Sequence, residues 1–450
     1  MYLLLVVGII LGLSYAPAQP GAHFSPLLSL LLVVFLTLIY ALIGGVLTRI
    51  SLAKAKYGYT RPAYMARRSL RFLLFYRGLM LGIFAFEIYG LKWPYLVNEY
   101  WGLKGWVLLD EAVSLSPFLI MVMISFVVTY PVDKLLRGAG WRLSGYVSFQ
   151  VRTVLLVILL PLFTLLGTYD ILSILESHRL SQAVGIPLPW IVTPLVVISI
   201  YLFAPLALKG VFRARALPPG LLRARLEETA RRTGFRFRDI LIWPTFGGHI
   251  LTACVTGLLS RFRYVLFTDD LLASLSPEEV EAVLAHEIAH INKHHFPFYL
   301  LFTATFIVFL VLLDAFLSFA MGFLGWSSKI TEMVGIAGIV LCFLLYWGLL
   351  FGYISRRLEC QADLYGASLS SRASLVSALE KLALLAGLPR RYYSWRHFSV
   401  GERIDFLKKA QEDPTIAHQF QRRLRLIILS VGVSFFAGLL LFLLLLLFGR

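Results

Sequence analysis

The residues best suited to chemistry lie in His286-Glu287-Ile288-Ala289-His290. On a helix, positions i and i+4 share a face, with Cβ atoms about 5–6 Å apart. Two imidazoles at that spacing can converge on one zinc ion at about 2.0–2.1 Å. The glutamate between them projects beside the metal, where it can accept a proton from water. His286 and His290 are therefore candidate metal ligands, and Glu287 is the candidate general base. The pattern is short, and in unrelated proteins such histidines are simply solvated on a surface helix. Here Ser276-Pro277-Glu278-Glu279 stands just upstream. Serine at the N-cap, proline at the first helical position and glutamate at the third form a capping box. They predict a helix that carries EEVEAVLAHEIAHINKHH.

A catalytic zinc site takes three protein ligands and leaves one position open. Glu359 is the expected third ligand. It stands in E-x-x-x-D with Asp363, one helical turn on. Asp363 can accept a hydrogen bond from the second ring nitrogen of a ligand histidine and so fix its tautomer. The plainer reading is two solvated acids on a surface helix, but they follow an apolar run and sit in an otherwise basic and apolar stretch. His294, at i+4 from His290, shares roughly the same face, and His295 follows it. Both are expected to be solvated or interfacial, since three ligands are already in hand. Cys254, Cys342 and Cys360 are too few and too scattered for a disulfide framework or a Cys-rich metal site.

The elements that must position these groups are largely apolar. Of 450 residues, 59% are hydrophobic and 15% charged, with mean hydropathy +0.79. Soluble domains sit near about 45–50% and 25%. A disordered chain, a fibrous repeat and a simple cytosolic globule are excluded. Nine stretches approach the roughly 20 residues needed to cross a bilayer: 2–18, 25–48, 72–91, 111–131, 151–170, 188–208, 297–323, 333–354 and 426–448. The first is short, and Ala16-Pro17-Ala18 resembles a cleavage site, but no basic residue opens it. It is expected to be retained. The net charge of +17 lies mostly beside apolar runs, which marks the inner ends of helices rather than a nucleic-acid surface. Segments 49–71, 132–150 and 209–232 are rich in Lys and Arg, and the alternate loops are poor in them. The spans then alternate consistently, with the amino terminus inside. Both long polar segments, 209–295 and 355–424, fall on the inner side. The first reads as a small α/β piece, with a helix over 219–233 and strand-like runs at Asp239–Trp243 and 263–268. The second opens as a helix and holds another over 373–386. His290 precedes one span and Glu359 follows the next, so a membrane hairpin returns both half-sites to the same face. Glu87 and Asp314 lie at membrane depth, where ionisable groups are costly and often functional; they are candidates for lining a polar cavity. Arg152, near an inner end, is expected to snorkel.

The chain resembles the M48 zinc metallopeptidases, which include the CAAX prenyl proteases of the Ste24 type and the bacterial HtpX type. The resemblance covers about residues 209–410. It rests on LSPEEVEAVLAHEIAH, a membrane hairpin, RRLECQAD, and His397-Phe398-Ser399-Val400-Gly401-Glu402-Arg403-Ile404. Phe398 replaces the family's proline, and Thr252, in Thr252-Ala253-Cys254, stands where the family has asparagine. The resemblance implies Zn2+ held by His286, His290 and Glu359, with Glu287 as base and Asp363 behind a ligand histidine. It implies that His397 binds substrate or steadies the oxyanion and that Arg403 orients that region. The strand near Thr252 and Ala253 would receive an extended peptide by strand addition.

The expected fold class is mostly α: a polytopic helical membrane protein of about nine spans, with a small zincin-like α/β metalloprotease domain at the cytoplasmic membrane face. Its expected organisation is a six-span bundle over 1–208, a first protease part over 209–295, a transmembrane hairpin over 296–354, a second protease part over 355–424 and a terminal helix over 425–450. The expected function is a zinc metalloendopeptidase acting on membrane-associated proteins or peptides in the bacterial inner membrane. Its expected partners are such substrates and the lipid bilayer, with no nucleic acid. The alternative is a non-catalytic membrane receptor or transporter with a structural zinc site. Glu287 speaks against it, because a structural site does not need that carboxylate.

Overall fold

The computed structural model describes residues 2–13, 25–57, 62–137, 140–177, 188–323, 325, 338, 341–385, 390–391 and 398–448. His397, the Ala16–Ala18 segment and most of 333–340 lie outside them. Among the described residues, seven helices are long and apolar enough to cross a membrane: Pro26–Ala53, Phe72–Tyr89, Leu109–Leu135, Leu143–Leu175, Ile191–Val211, His295–Ala320 and Pro414–Leu445. Each overlaps one of the apolar stretches read from the sequence, and two of the nine stretches are absent from this set. The first is a 12-residue helix, Tyr2–Leu13, too short to span. The eighth is described mainly from residue 341, with a π-helical turn at Leu344–Phe351.

The chain divides into two compact units. The first comprises Met1–Leu217, Phe237–Thr252 and Thr256–Ala273. Its helices pack around large side chains, because runs of leucine and phenylalanine leave no polar face to turn outward. Tyr40 and Tyr76 stack at 4.2 Å, and Phe84 meets Phe118 at 5.0 Å. The Trp141 indole is buried and donates to the Thr245 carbonyl. Arg152 does not simply reach for the membrane surface: its guanidinium donates to Ser148 Oγ and to the Val211 carbonyl. Glu87 is fully buried, and its carboxylate oxygens have no hydrogen-bond partner among the described residues. Strand β1, Arg215–Ala216, runs antiparallel to β2, Asp239–Trp243. Of β3, Ala253–Thr256, residues 253–255 belong to the second unit. Strand β4, Tyr264–Thr268, is buried at every position and pairs in parallel with β2, Asp239 opposite Tyr264. Such continuous burial matches its unbroken apolar character.

The second unit comprises Pro218–Arg236, Ala253–Val255 and Ser274–Arg450. Its helices are Leu221–Arg232, Pro277–Asn292, His295–Phe323, Gly352–Leu369, Arg372–Leu385, Val400–Glu412 and Pro414–Phe448. Two hydrophobic clusters hold it. One gathers Ala282, Ala367, Leu375, Leu379, Ile404 and Leu407. The other gathers Phe298, Phe302, Ile354, Leu358 and Leu424. Asp314, a candidate for lining a polar cavity, is exposed.

Candidate active site

The motif helix Pro277–Asn292 begins as its sequence demands. Ser276 Oγ accepts from the Glu279 amide, and Glu279 Oε2 accepts from the Ser276 amide at 2.8 Å, completing the capping box. Glu279 also accepts from Ser377 Oγ at 2.6 Å and Lys381 Nζ at 2.8 Å. Two residues on, Glu281 takes bonds from Arg225 at 2.5 Å, Thr229 at 2.7 Å and Arg232 at 3.0 Å. The acidic first turns thus fasten the motif helix to helices Leu221–Arg232 and Arg372–Leu385. These carboxylates also suit the positive end of the helix dipole.

The helix Gly352–Leu369 crosses the motif helix at very short range. A Cβ on Gly366 would lie 3.0 Å from the His286 amide nitrogen and 3.1 Å from its Cα. Glu359, Asp363 and Gly366 follow an i, i+4, i+7 spacing, so the crossing turns both acids toward the histidines. His286 Nε2 and His290 Nε2 are 3.4 Å apart. Glu359 oxygens lie 3.6 Å from the first and 3.8 Å from the second. Donor atoms about 2.0–2.1 Å from a tetrahedral metal ion lie about 3.3–3.4 Å from one another. The three side chains therefore fit one divalent ion with little movement, and on these grounds they form a candidate ligand group.

Behind His286 stands a charged pair. Asp363 is fully buried. It receives two bonds from Arg403, Nε to Oδ2 at 2.7 Å and a terminal nitrogen to Oδ1 at 2.5 Å. Asp363 Oδ1 is also 3.0 Å from His286 Nδ1, as a close ionic contact rather than a well-aligned hydrogen bond. Arg403 is delivered by the first turn of helix Val400–Glu412, which has its own capping box between Ser399 and Glu402. Burial disfavours a charged Asp363, but the Arg403 guanidinium outweighs it and holds the carboxyl at about 2. For His286, burial opposes the cation, but Asp363 and Glu359 outweigh it and push the imidazole up to about 10. A divalent ion at Nε2 would take the place of that proton.

His290 sits in different surroundings. Burial, and then the charge of His286, push it down to about 3, so its ring is neutral near pH 7. Its Nδ1 is 2.9 Å from Nδ1 of His295. His295 Nε2 is 2.9 Å from Gln361 Oε1, and Gln361 Nε2 donates to Gln421 Oε1 at 2.7 Å. Of the expected solvated or interfacial placement, solvation is corrected here: His295 is 1% exposed. The motif helix ends at Asn292, and His294 adopts φ 58°. That left-handed residue reverses the chain, so His295 opens the next helix facing back to His290. His294 is exposed, as expected, but the helix ends before it, so no shared helical face with His290 exists.

Glu287 is half-buried. Burial raises its carboxyl to about 7, against the opposing charge of His286 and a hydrogen bond from the Val255 backbone. Ala253 and Val255 belong to the same unit as the motif helix, whereas Thr252 belongs to the other. Within that other unit, the Thr268 amide donates to the Thr252 carbonyl at 3.0 Å. The structure thus brings His286, Glu287, His290, Glu359, Asp363 and Arg403 together. The sequence reading missed His295, Gln361 and Gln421. Pro297, which is tolerated in a helix's first turn, was the available sign that a new helix starts there.

Part of the chain is similar in sequence to known proteins. Residues 219–411 match the family model described as peptidase family M48. Protease HtpX of Pseudomonas putida strain F1 is 31% identical over 175 residues, which cover 36% of this chain and 56% of that protein. Protease HtpX of Chromohalobacter salexigens is 28% identical over 175 residues, covering 36% and 55%. The chain thus spans little more than half the length of these curated relatives. The crystal structure of S. mikatae Ste24p aligns with a TM-score of 0.46 at 19% identity, over 86% of this chain and 99% of that one. The similarity to peptidase family M48 thus runs over residues 219–411 of the chain.

Proposed function

We propose that this protein is a zinc-dependent endopeptidase that cleaves membrane-associated proteins or peptides on the cytoplasmic side of a bacterial inner membrane. The observation that carries the reading is the convergence of His286, His290 and Glu359 within bonding range of one ion, with Glu287 on the same helix. His286, His290 and Glu359 would hold the ion, whose chemistry when bound would be to polarise a scissile carbonyl and lower the pKa of water toward about 7. Glu287 accepts a proton at its carboxylate and passes it to the departing amine. The Val255 amide, bonded to Glu287, steadies that carboxylate. Asp363 and Arg403 hold His286 with Nδ1 turned away from the ion. The Ala253–Thr256 strand, with Thr252 at its start, offers backbone to an extended peptide. His397 is retained as a candidate for contact with the substrate or its oxyanion.

The test is purified full-length protein against a fluorogenic peptide or unfolded membrane protein, with and without chelator. Glu287→Gln should lower hydrolysis by about 10²–10⁴-fold while zinc content stays unchanged. Cleavage at the wild-type rate would remove Glu287 from its role. No chelator-sensitive cleavage by the wild type on any such substrate would favour a receptor or transporter with a structural ion.

A further inference from the structure

The side chains behind His290 carry a direction. Gln361 Nε2 donates to Gln421 Oε1 at 2.7 Å, which turns Gln361 Oε1 toward His295 Nε2 at 2.9 Å. A carbonyl oxygen only accepts, so His295 Nε2 carries the proton. His295 is 1% exposed and its two ring nitrogens are engaged by His290 and Gln361. Such a buried imidazole without a bonded carboxylate is favoured as the neutral ring, whose Nδ1 is then a bare acceptor. The 2.9 Å contact between the two Nδ1 atoms holds a single proton, and it must come from His290. A neutral His290 protonated at Nδ1 presents its lone pair at Nε2, the atom that faces His286 and Glu359.

The opposite order of the same bonds would require both amides to turn over. With both amides reversed, Gln361 would donate to His295, His295 would donate to His290, and His290 would carry its proton at Nε2, where no metal could bind. Side-chain orientation therefore decides whether the site is competent. The chain links four helices: Pro277–Asn292, His295–Phe323, Gly352–Leu369 and Pro414–Phe448. Two of these are long enough to cross a membrane, so the tautomer of one ligand is set by groups anchored on two such helices.

We infer that His295 is a positioning residue, and that the chain His295–Gln361–Gln421 holds His290 in the tautomer that offers Nε2 to the metal. The inference rests on the reading of His290 as a metal ligand. It is tested with zinc alone, by competition with a chromophoric chelator, on the full-length metal-free protein, and by the visible absorption of the cobalt-substituted form. His295→Phe keeps a ring but removes the acceptor; it should weaken zinc about 10–100-fold and alter the cobalt spectrum. Gln361→Leu should weaken zinc less. Gln361→Glu, which can only accept from His295 Nε2, should restore binding to near wild type. Equal zinc affinity in wild type, His295→Phe and Gln361→Leu would overturn the inference. So would a Gln361→Glu variant as weak as Gln361→Leu, which would mark the chain as mere packing. If His295→Phe fails to fold, the Gln361 pair decides alone. His290→Ala separates the two levels: undiminished zinc binding there overturns the ligand assignment itself. Loss there with no loss in His295→Phe overturns only the relay.

Discussion

His286 and His290 sit one turn apart on one helix, yet they are supported by opposite kinds of chemistry. Behind His286 a buried carboxylate is locked to a guanidinium, Asp363 to Arg403. Behind His290 runs a neutral sequence of imidazole and amides. The charged support strengthens the basicity of its histidine and ties down helix Val400–Glu412 at the same time. The neutral support fixes only the direction of a proton, adding no charge beside the ion. The contrast implies that the charged arm matters to folding and the neutral arm to metal affinity.

Removing one member of the charged arm should have the largest effect on stability. Asp363→Ala strands the Arg403 guanidinium in a buried site, and should cost about 3–5 kcal/mol. Thermal unfolding in detergent measures it. The double variant Asp363→Leu with Arg403→Met should recover much of that loss, because no charge is left unpaired. If the double variant is no better than the single, the pair is not what limits stability. His295→Phe should by contrast change the unfolding midpoint little, since only neutral hydrogen bonds worth about 1 kcal/mol each are lost.

A smaller effect is expected where the motif helix is fastened to Leu221–Arg232. Contacts with Thr229, Arg225 and Arg232 overcome burial and hold the Glu281 carboxyl below its usual range. A carboxylate with a lowered folded pKa adds stability above its unfolded value, about 4.3, and loses it as pH falls through the folded value. Glu281→Gln should therefore cost about 1–2 kcal/mol at neutral pH, discounted because Arg225 and Arg232 are substantially exposed. The gap to wild type should close on acidification. A gap that stays constant to about pH 3, below the unfolded value, would show that the charge is not involved. Smallest are the two capping serines: Ser276→Ala and Ser399→Ala should each cost about 1 kcal/mol, the second also loosening the arginine of the charged arm.

What could be read from the sequence follows from how local each signal is. The H-E-x-x-H helix and its capping box occupy one short stretch, and the Glu359–Asp363 spacing is a single helical turn, so both were legible. The membrane-length helices were legible from apolar length alone. The Ser399–Glu402 capping box is just as local and marks the start of the helix carrying Arg403, although the sequence reading placed Arg403 by resemblance rather than by that cap. The role of His295 was not legible, because it depends on a helix break. The run EEVEAVLAHEIAHINKHH has no glycine or proline before residue 297 to end the helix, yet His294 takes a left-handed conformation. Such a conformation is uncommon for a residue with a side chain, and Pro297 marks only that a helix starts nearby, not where the preceding one ends. Gln361 and Gln421, 60 residues apart, meet only through tertiary packing.

The central claim is that two separated stretches of chain share one metal ion. The most direct measurement is zinc per chain, by atomic emission, on purified full-length protein and on Glu359→Ala. The account predicts one zinc per chain in the wild type and a large loss in the variant. An undiminished zinc content in Glu359→Ala would contradict it.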